Sequence, residues 1–202
     1  MRKPISKLSG PFEQGFTLVE MIMVMLVSAI LVTKSIPAIN NYFEKNYLKG
    51  AAEILHSRLQ QARSESIKRF APVFVNISAP GGDAWSYGLS DSSNCDSAQN
   101  LGAGNDCTLN VSGTPVLHTE KNQSPNSQFS NINLAAYTDL SMSTPANPLE
   151  IRFDPVRGTS TGGLLRLTSS SGWAIHATIS VLGKVELCSP TGSSHVSGYS
   201  PC

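Results

Sequence analysis

The residue whose chemistry most needs explaining is Glu20. It closes the run Gly15-Phe16-Thr17-Leu18-Val19-Glu20, at the point where a basic leader gives way to an apolar stretch. A carboxylate near the start of a lipid-embedded helix costs a few kcal/mol by insertion scales, so it needs a partner or a function unless it lies close enough to the membrane surface to stay wet. Other groups invite chemistry and offer less. Gly158-Thr159-Ser160-Thr161-Gly162 matches G-x-S-x-G, but a nucleophile elbow needs a strand before it and a helix after it, and here the strand-like Leu164 to Leu167 follows. Asp91, Asp96 and Asp106 lack the regular spacing of a calcium loop and read as a solvated segment. The four histidines, His56, His118, His176 and His195, are scattered, and the four cysteines include no C-x-x-C pair, so no zinc site is expected. No catalytic residue and no cofactor is indicated.

The elements that must position Glu20 begin with FTLVEMIMVMLVSAILVTKSI, from Phe16 to Ile36. As a helix this stretch is about 31 Å long, enough to cross a hydrocarbon core of roughly 30 Å. Arg2, Lys3 and Lys7 precede it, which predicts a cytoplasmic N-terminus and a head on the far side of the membrane. A cleaved secretory signal fits poorly, because the run exceeds a usual h-region and no A-x-A-like site follows; an uncleaved signal anchor remains an alternative. Beyond Pro37, the residues Leu48, Ala52, Leu55, Leu59 and Ala62 form one helical stripe, with most charges off it. A helix from Phe16 to about Phe70 would span roughly 80 Å, its first half in the membrane and its second half on a head domain. Pro37 either kinks that helix or breaks it at the membrane exit, and Pro72 ends it.

After Phe70 the pattern changes to short alternating runs, at Val73 to Ile77, Leu149 to Phe153, Leu164 to Leu167 and Trp173 to Val181. A long helix packed on an antiparallel β-sheet, an α+β architecture, is implied. Between Ser90 and Asn147 the chain is mostly Ser, Asn, Gly and Asp, which predicts surface loops with one or two short strands, Pro115 to His118 being the best. Cys95, Cys107, Cys188 and Cys202 all lie in this head, where an oxidising compartment favours two disulfides. Three connectivities are possible, and Cys95–Cys107 with Cys188–Cys202 is favoured because each closes a short loop.

Charged residues make up only 14% of the 202-residue chain, with 15 Lys+Arg against 14 Asp+Glu. The scarcity has two sources: the apolar helix, which holds only Glu20 and Lys34, and the Ser/Asn/Gly-rich head. From Ala71 onward there are five bases against nine acids, and no Lys or Arg follows Lys184. Affinity for nucleic acid is largely phosphate neutralisation, so this balance disfavours a DNA-capturing head. An enzyme on a membrane stalk would need a convergent site that the residues do not supply.

The run from Gly15 to Glu20, followed by an unbroken apolar stretch, resembles the processing site of the type IV pilin superfamily. The resemblance implies that a prepilin peptidase cuts after Gly15 and methylates the new amino group of Phe16, that residues 1–15 are removed, and that the helix is kept. Glu20 of one copy would then neutralise the amine of a neighbour and set the axial register of assembly. Pro37 stands where pilins commonly carry a helix-kinking proline. Gln61 to Arg69 (QARSESIKR), Trp85-Ser86-Tyr87-Gly88, and the late run Ile179 to Cys188 containing Gly183-Lys184 resemble one branch, the GspH/FimT minor pilins and pseudopilins. That branch usually has Arg where Lys184 stands. The implied organisation is a leader (1–15), a transmembrane or filament-core helix (16–36), its amphipathic continuation (37–70) and an extracytoplasmic head (71–202). The implied partners are other pilins, the peptidase and the bacterial inner membrane. A FimT/FimU-like minor pilin of the type IV pilus is the first reading and a GspH-type pseudopilin of type II secretion the alternative.

Overall fold

The computed structural model describes residues 15–80, 84–99, 102, 104–111, 114–117, 119–121 and 131–202. The leader residues 1–14 and His118 lie outside them. The helix α1 runs Leu18–Arg69 and is unbroken in its secondary structure through position 37. The chain divides into two compact units, residues 1–40 and 41–202.

The second unit holds residues 41–69 of α1 and every strand: β1 (Val73–Ser78), β2 (Ser86–Ser90), β3 (Thr108–Val111), β4 (Thr114–Leu117), β5 (Thr119–Lys121), β6 (Ile132–Tyr137), β7 (Leu149–Phe153), β8 (Gly163–Ser169), β9 (Ala174–Ile179) and β10 (Val185–Cys188). They form two four-stranded antiparallel sheets, ordered β5-β2-β1-β7 and β10-β9-β8-β6, and a β3-β4 hairpin. The long helix with antiparallel β-structure expected from the sequence is present, and its strands are arranged in two sheets. The run Ile132 to Tyr137 supplies the edge strand of the second sheet: its burial alternates, with Ile132, Leu134 and Ala136 inward, and it pairs along β8. Asn, Ser and Gln on its N-terminal side dilute that period in any longer window of sequence.

The helical stripe becomes the core. Leu48, Ala52, Leu55, Leu59 and Ala62 are fully buried, joined by Ala51 and Ser66, and they pack with inward residues of both sheets such as Ile77, Ile151, Leu165 and Ile175. Burying one leucine contributes about 1.5–3 kcal/mol. Leu55→Ala also leaves a cavity, so it is expected to lower the unfolding free energy by about 2–5 kcal/mol, read by thermal denaturation of the full chain in detergent. Trp85 joins the two sheets: its Nε1–H donates to the carbonyl of Ile132 at 2.7 Å while its ring stacks on Tyr87.

The helix ends in a Schellman motif. The amide of Ala71 donates to Ser66 O and that of Phe70 to Ile67 O, with Phe70 in the left-handed region at φ 52°. The following strand starts at Val73, one residue past Pro72, whose ring cannot continue a helix.

Candidate assembly site

Thr17 sets the start of α1. Its Oγ1 accepts the backbone N–H of Glu20 at 3.3 Å, which satisfies one of the amide donors that a helix N-terminus leaves unpaired. Thr-x-x-Glu is the spacing of a capping box, a local signal that marks Thr17 as the helix cap. Glu20 lies in the first turn, where the partial positive charge of the helix end favours a carboxylate. The same field would oppose a cationic amine at Phe16, which makes a nearby carboxylate a physical requirement for burying such an amine.

From Phe16 onward the side chains face outward. Phe16 and Leu18 are 75% exposed, and every large apolar residue from Val19 to Ile36 is exposed too. The most apolar 18-residue window of α1 has a mean hydropathy of 2.1. Its hydroxyls are satisfied within the helix: Ser28 donates to Val24 O, Thr33 to Ile30 O at 2.9 Å and Ser35 to Leu31 O at 2.8 Å. Such internal bonds let hydroxyls sit in lipid or between helices at little cost. Among the polar groups of this stretch, Glu20 and Lys34 are left needing an external partner or water. Gly15 is exposed, and a Cβ there would meet nothing within 4 Å in this chain.

The cysteines are joined as Cys95–Cys107 and Cys188–Cys202. The first bridge lies against Gly88, where a Cβ would stand 2.5 Å from the Cβ of Cys107. Around it, the carboxylates are occupied by loop groups. Asp91 accepts from the backbone and side-chain amides of Asn110, Asp96 from Ala98 N, and Asp106 from Gly102 N. These bonds account for the aspartates as loop staples. The second bridge ties down the segment 189–202. Buried Ser189 donates to Ala174 O at 2.9 Å and accepts from Val196 N at 2.8 Å, Val196 enters the core, and Tyr199 donates to Glu53 of α1 at 2.8 Å. Burial and then the bond to Glu53 push the Tyr199 phenol well above its ordinary value, so it remains a donor at neutral pH.

His176 is buried beside this bridge, its Nδ1 3.5 Å from Cys202 Sγ. Among the described residues, His176, Cys188 and Cys202 are the one group with the proximity of metal ligands, but the two sulfurs bond each other and neither is a free thiolate. Burial, then the charge of Arg166, depresses the His176 pKa. A base with a depressed folded pKa contributes stability in full above the ordinary imidazole value of about 6.5, and loses it as the pH falls from there toward the folded value. Melting temperatures at pH 7.5 and 5 should therefore differ more for the wild type than for His176→Gln.

Ser160 is a loop residue. Its hydroxyl donates to Ser180 O at 2.7 Å and accepts from Gly162 N, so the proton that a nucleophile would surrender is already engaged. The turn at Gly183 explains a glycine of the late-hairpin motif: at φ 71°, a Cβ there would stand 1.9 Å from the carbonyl oxygen of Gly158. Gly183→Ala must move that backbone and is expected to destabilise the head by roughly 1–3 kcal/mol, measurable by denaturant titration.

An exposed apolar stretch at the start of α1 and a head of one helix on two antiparallel sheets are consistent with a pilin-like subunit. The family described as Type II transport protein GspH matches residues 51–183, and the Prokaryotic N-terminal methylation motif matches residues 12–33. The chain belongs to the GspH family and is a minor pilin or pseudopilin. No curated protein and no solved structure matches it. The family is one of structural subunits, and its members assemble with other pilins and are processed by prepilin peptidase. The N-terminal motif and the apolar helix fit a membrane-anchored protein.

Proposed function

We propose that the chain is inserted in the bacterial inner membrane with its leader in the cytoplasm and its head in the periplasm, is cut after Gly15 and methylated at Phe16, and then joins a helical filament through residues 16–36. Residues 1–15 act as the removable leader, 37–70 as the helix that carries the head, and 71–202 as the head. The carrying observation is the exposed, mainly apolar surface from Phe16 to Ile36, in which Glu20 is the one charged residue before Lys34. Lipid covers such a surface in the membrane, and the helices of other pilin subunits cover it in a filament. Glu20 then pairs with the Phe16 amine of a neighbour, and Pro37 gives the helix a local weak point, since it lacks an N–H to donate.

The proposed machine is a type IV pilus, with the chain as a minor subunit in its initiation or tip complex; the Ser-rich, disulfide-bearing end of the head supports this reading. A second reading, a minor pseudopilin of type II secretion, is supported by the description of the matching family. Deleting the gene separates them: loss of surface pili with normal export of folded proteins supports the pilus, whereas loss of export with intact pili supports the secretion system. Processing has its own test. Gly15→Leu should block cleavage and leave the leader attached, as seen by intact mass, while Gly15→Ala is cut. Equal cleavage of both would remove Gly15 from the role of a size-selected site.

A further inference from the structure

A groove of about 620 Å³ lies between the end of α1 and the β9–β10 turn, within the size range of ligand clefts. Three of its lining residues are cationic, Arg63, Lys68 and Lys184, and none is acidic. Arg63 is the central one. Its Nε is buried against the backbone around Gly158 and Gly183 and has no hydrogen-bond partner among the described residues. Among the described residues its guanidinium makes one long bond, Nη2 to Leu182 O at 3.4 Å. An arginine held this way presents a fixed cation to a carboxylate, through its Nη groups rather than through the buried Nε. Lys68 and Lys184 are paired with Glu65 at 3.2 Å and Glu186 at 2.6 Å, but the lysines' side chains are 66% exposed and such pairs hold a cation only weakly against a competing anion.

The other surface here is apolar. Ile67 lines the groove and is 45% exposed, and Val181 and Leu182, on the adjoining turn, are 65% and 71% exposed. Nucleic acid is a poor occupant of such a place: a phosphate backbone gains nothing from these side chains, and the head as a whole carries more acids than bases. A single carboxylate feels mainly the cations within a Debye length of about 8 Å, and aliphatic side chains beside it would cover the exposed valine and leucine. We propose that this groove is a docking site for an acidic, aliphatic peptide segment of a partner protein, its carboxylate on Arg63 and its apolar side chains on Ile67, Val181 and Leu182. The site lies between residues 60–68 of α1 and residues 183–185, within the second compact unit, and does not depend on how residues 16–36 assemble.

The test uses the full-length protein in nonionic detergent and fluorescence anisotropy of a labelled octapeptide of alternating glutamate and valine, against the same peptide with lysine for glutamate. The acidic peptide is expected to bind saturably and more weakly at high salt, and the lysine peptide not to bind. Arg63→Ala should weaken binding by about tenfold or more. Because Arg63 also packs against two loops, Lys68→Glu combined with Lys184→Glu provides a second variant whose exposed positions spare the fold, and it should weaken binding comparably. Equal binding of the two peptides, or unchanged affinity in the Lys68→Glu/Lys184→Glu variant, overturns the proposal. So does a short DNA duplex that competes with the acidic peptide and loses its own binding in the same variants, since the site would then be one for phosphate.

Discussion

Glu20→Ala is expected to yield a protein that is inserted in the membrane and processed as the wild type but is nearly absent from filaments. In the assembled state the variant leaves the cationic amine of Phe16 without a carboxylate, at the end of a helix whose own dipole already disfavours positive charge there. Breaking a buried ion pair by removing one partner costs about 3–5 kcal/mol, which corresponds to roughly a hundredfold or more in the equilibrium of incorporation. Glu20→Gln should behave similarly, because it keeps the shape and loses the charge. Immunoblots of sheared filaments against membrane fractions provide the measurement. Normal incorporation of either variant would sink the pairing and, with it, the idea that charge neutralisation fixes the height of each subunit. In the unassembled chain the substitution should leave the helix start intact, since the cap is made by Thr17 Oγ1 with the backbone N–H of residue 20.

Replacing Cys188 and Cys202 together by serine should destabilise the head strongly. The bridge spans 14 residues, and in the chain-entropy account a loop of that size contributes about 3 kcal/mol. For a chain of this length the melting temperature should fall by about 6–12 °C. A further effect separates this bridge from the other one. The segment 189–202 reaches α1 through Tyr199 and Glu53 and fills the core with Val196, so its release should raise amide exchange in α1 around Glu53. Replacing Cys95 and Cys107, whose bridge spans a similar 12 residues, should cost comparable stability without that exchange signature, because it holds a loop against β2 rather than against the helix. Identical exchange profiles for the two double variants would show that segment 189–202 does not act as a strap on α1.

What could be read in advance follows the range of the interactions involved. The stripe from Leu48 to Ala62 is a local periodicity, so its buried face was legible before any strand was placed; Ala51 and Ser66 were missed because a small residue beside the stripe is buried only when a sheet arrives over it. Segments such as Val73 to Ile77 and Leu149 to Phe153 declared themselves by alternation, while Ile132 to Tyr137 hid among polar neighbours and needed β8 to give it an edge to pair with. The capping role of Thr17 was readable from Thr-x-x-Glu and was overshadowed by the larger signal of Glu20.

By itself, the amino-acid sequence determined that residues 16–36 need a nonaqueous surrounding, that Glu20 is the charge this surrounding must answer, and that a long helix packs on strands. Each of these rests on composition or spacing within a few helical turns. Only the tertiary structure decided that the head strands form two sheets, that Ser189 organises the segment folded over α1, and that Arg63 lies beneath the turns at Gly158 and Gly183 with its buried Nε unmatched among the described residues. Those outcomes depend on residues far apart in the chain, and no local pattern encodes which distant backbone will cover a given side chain.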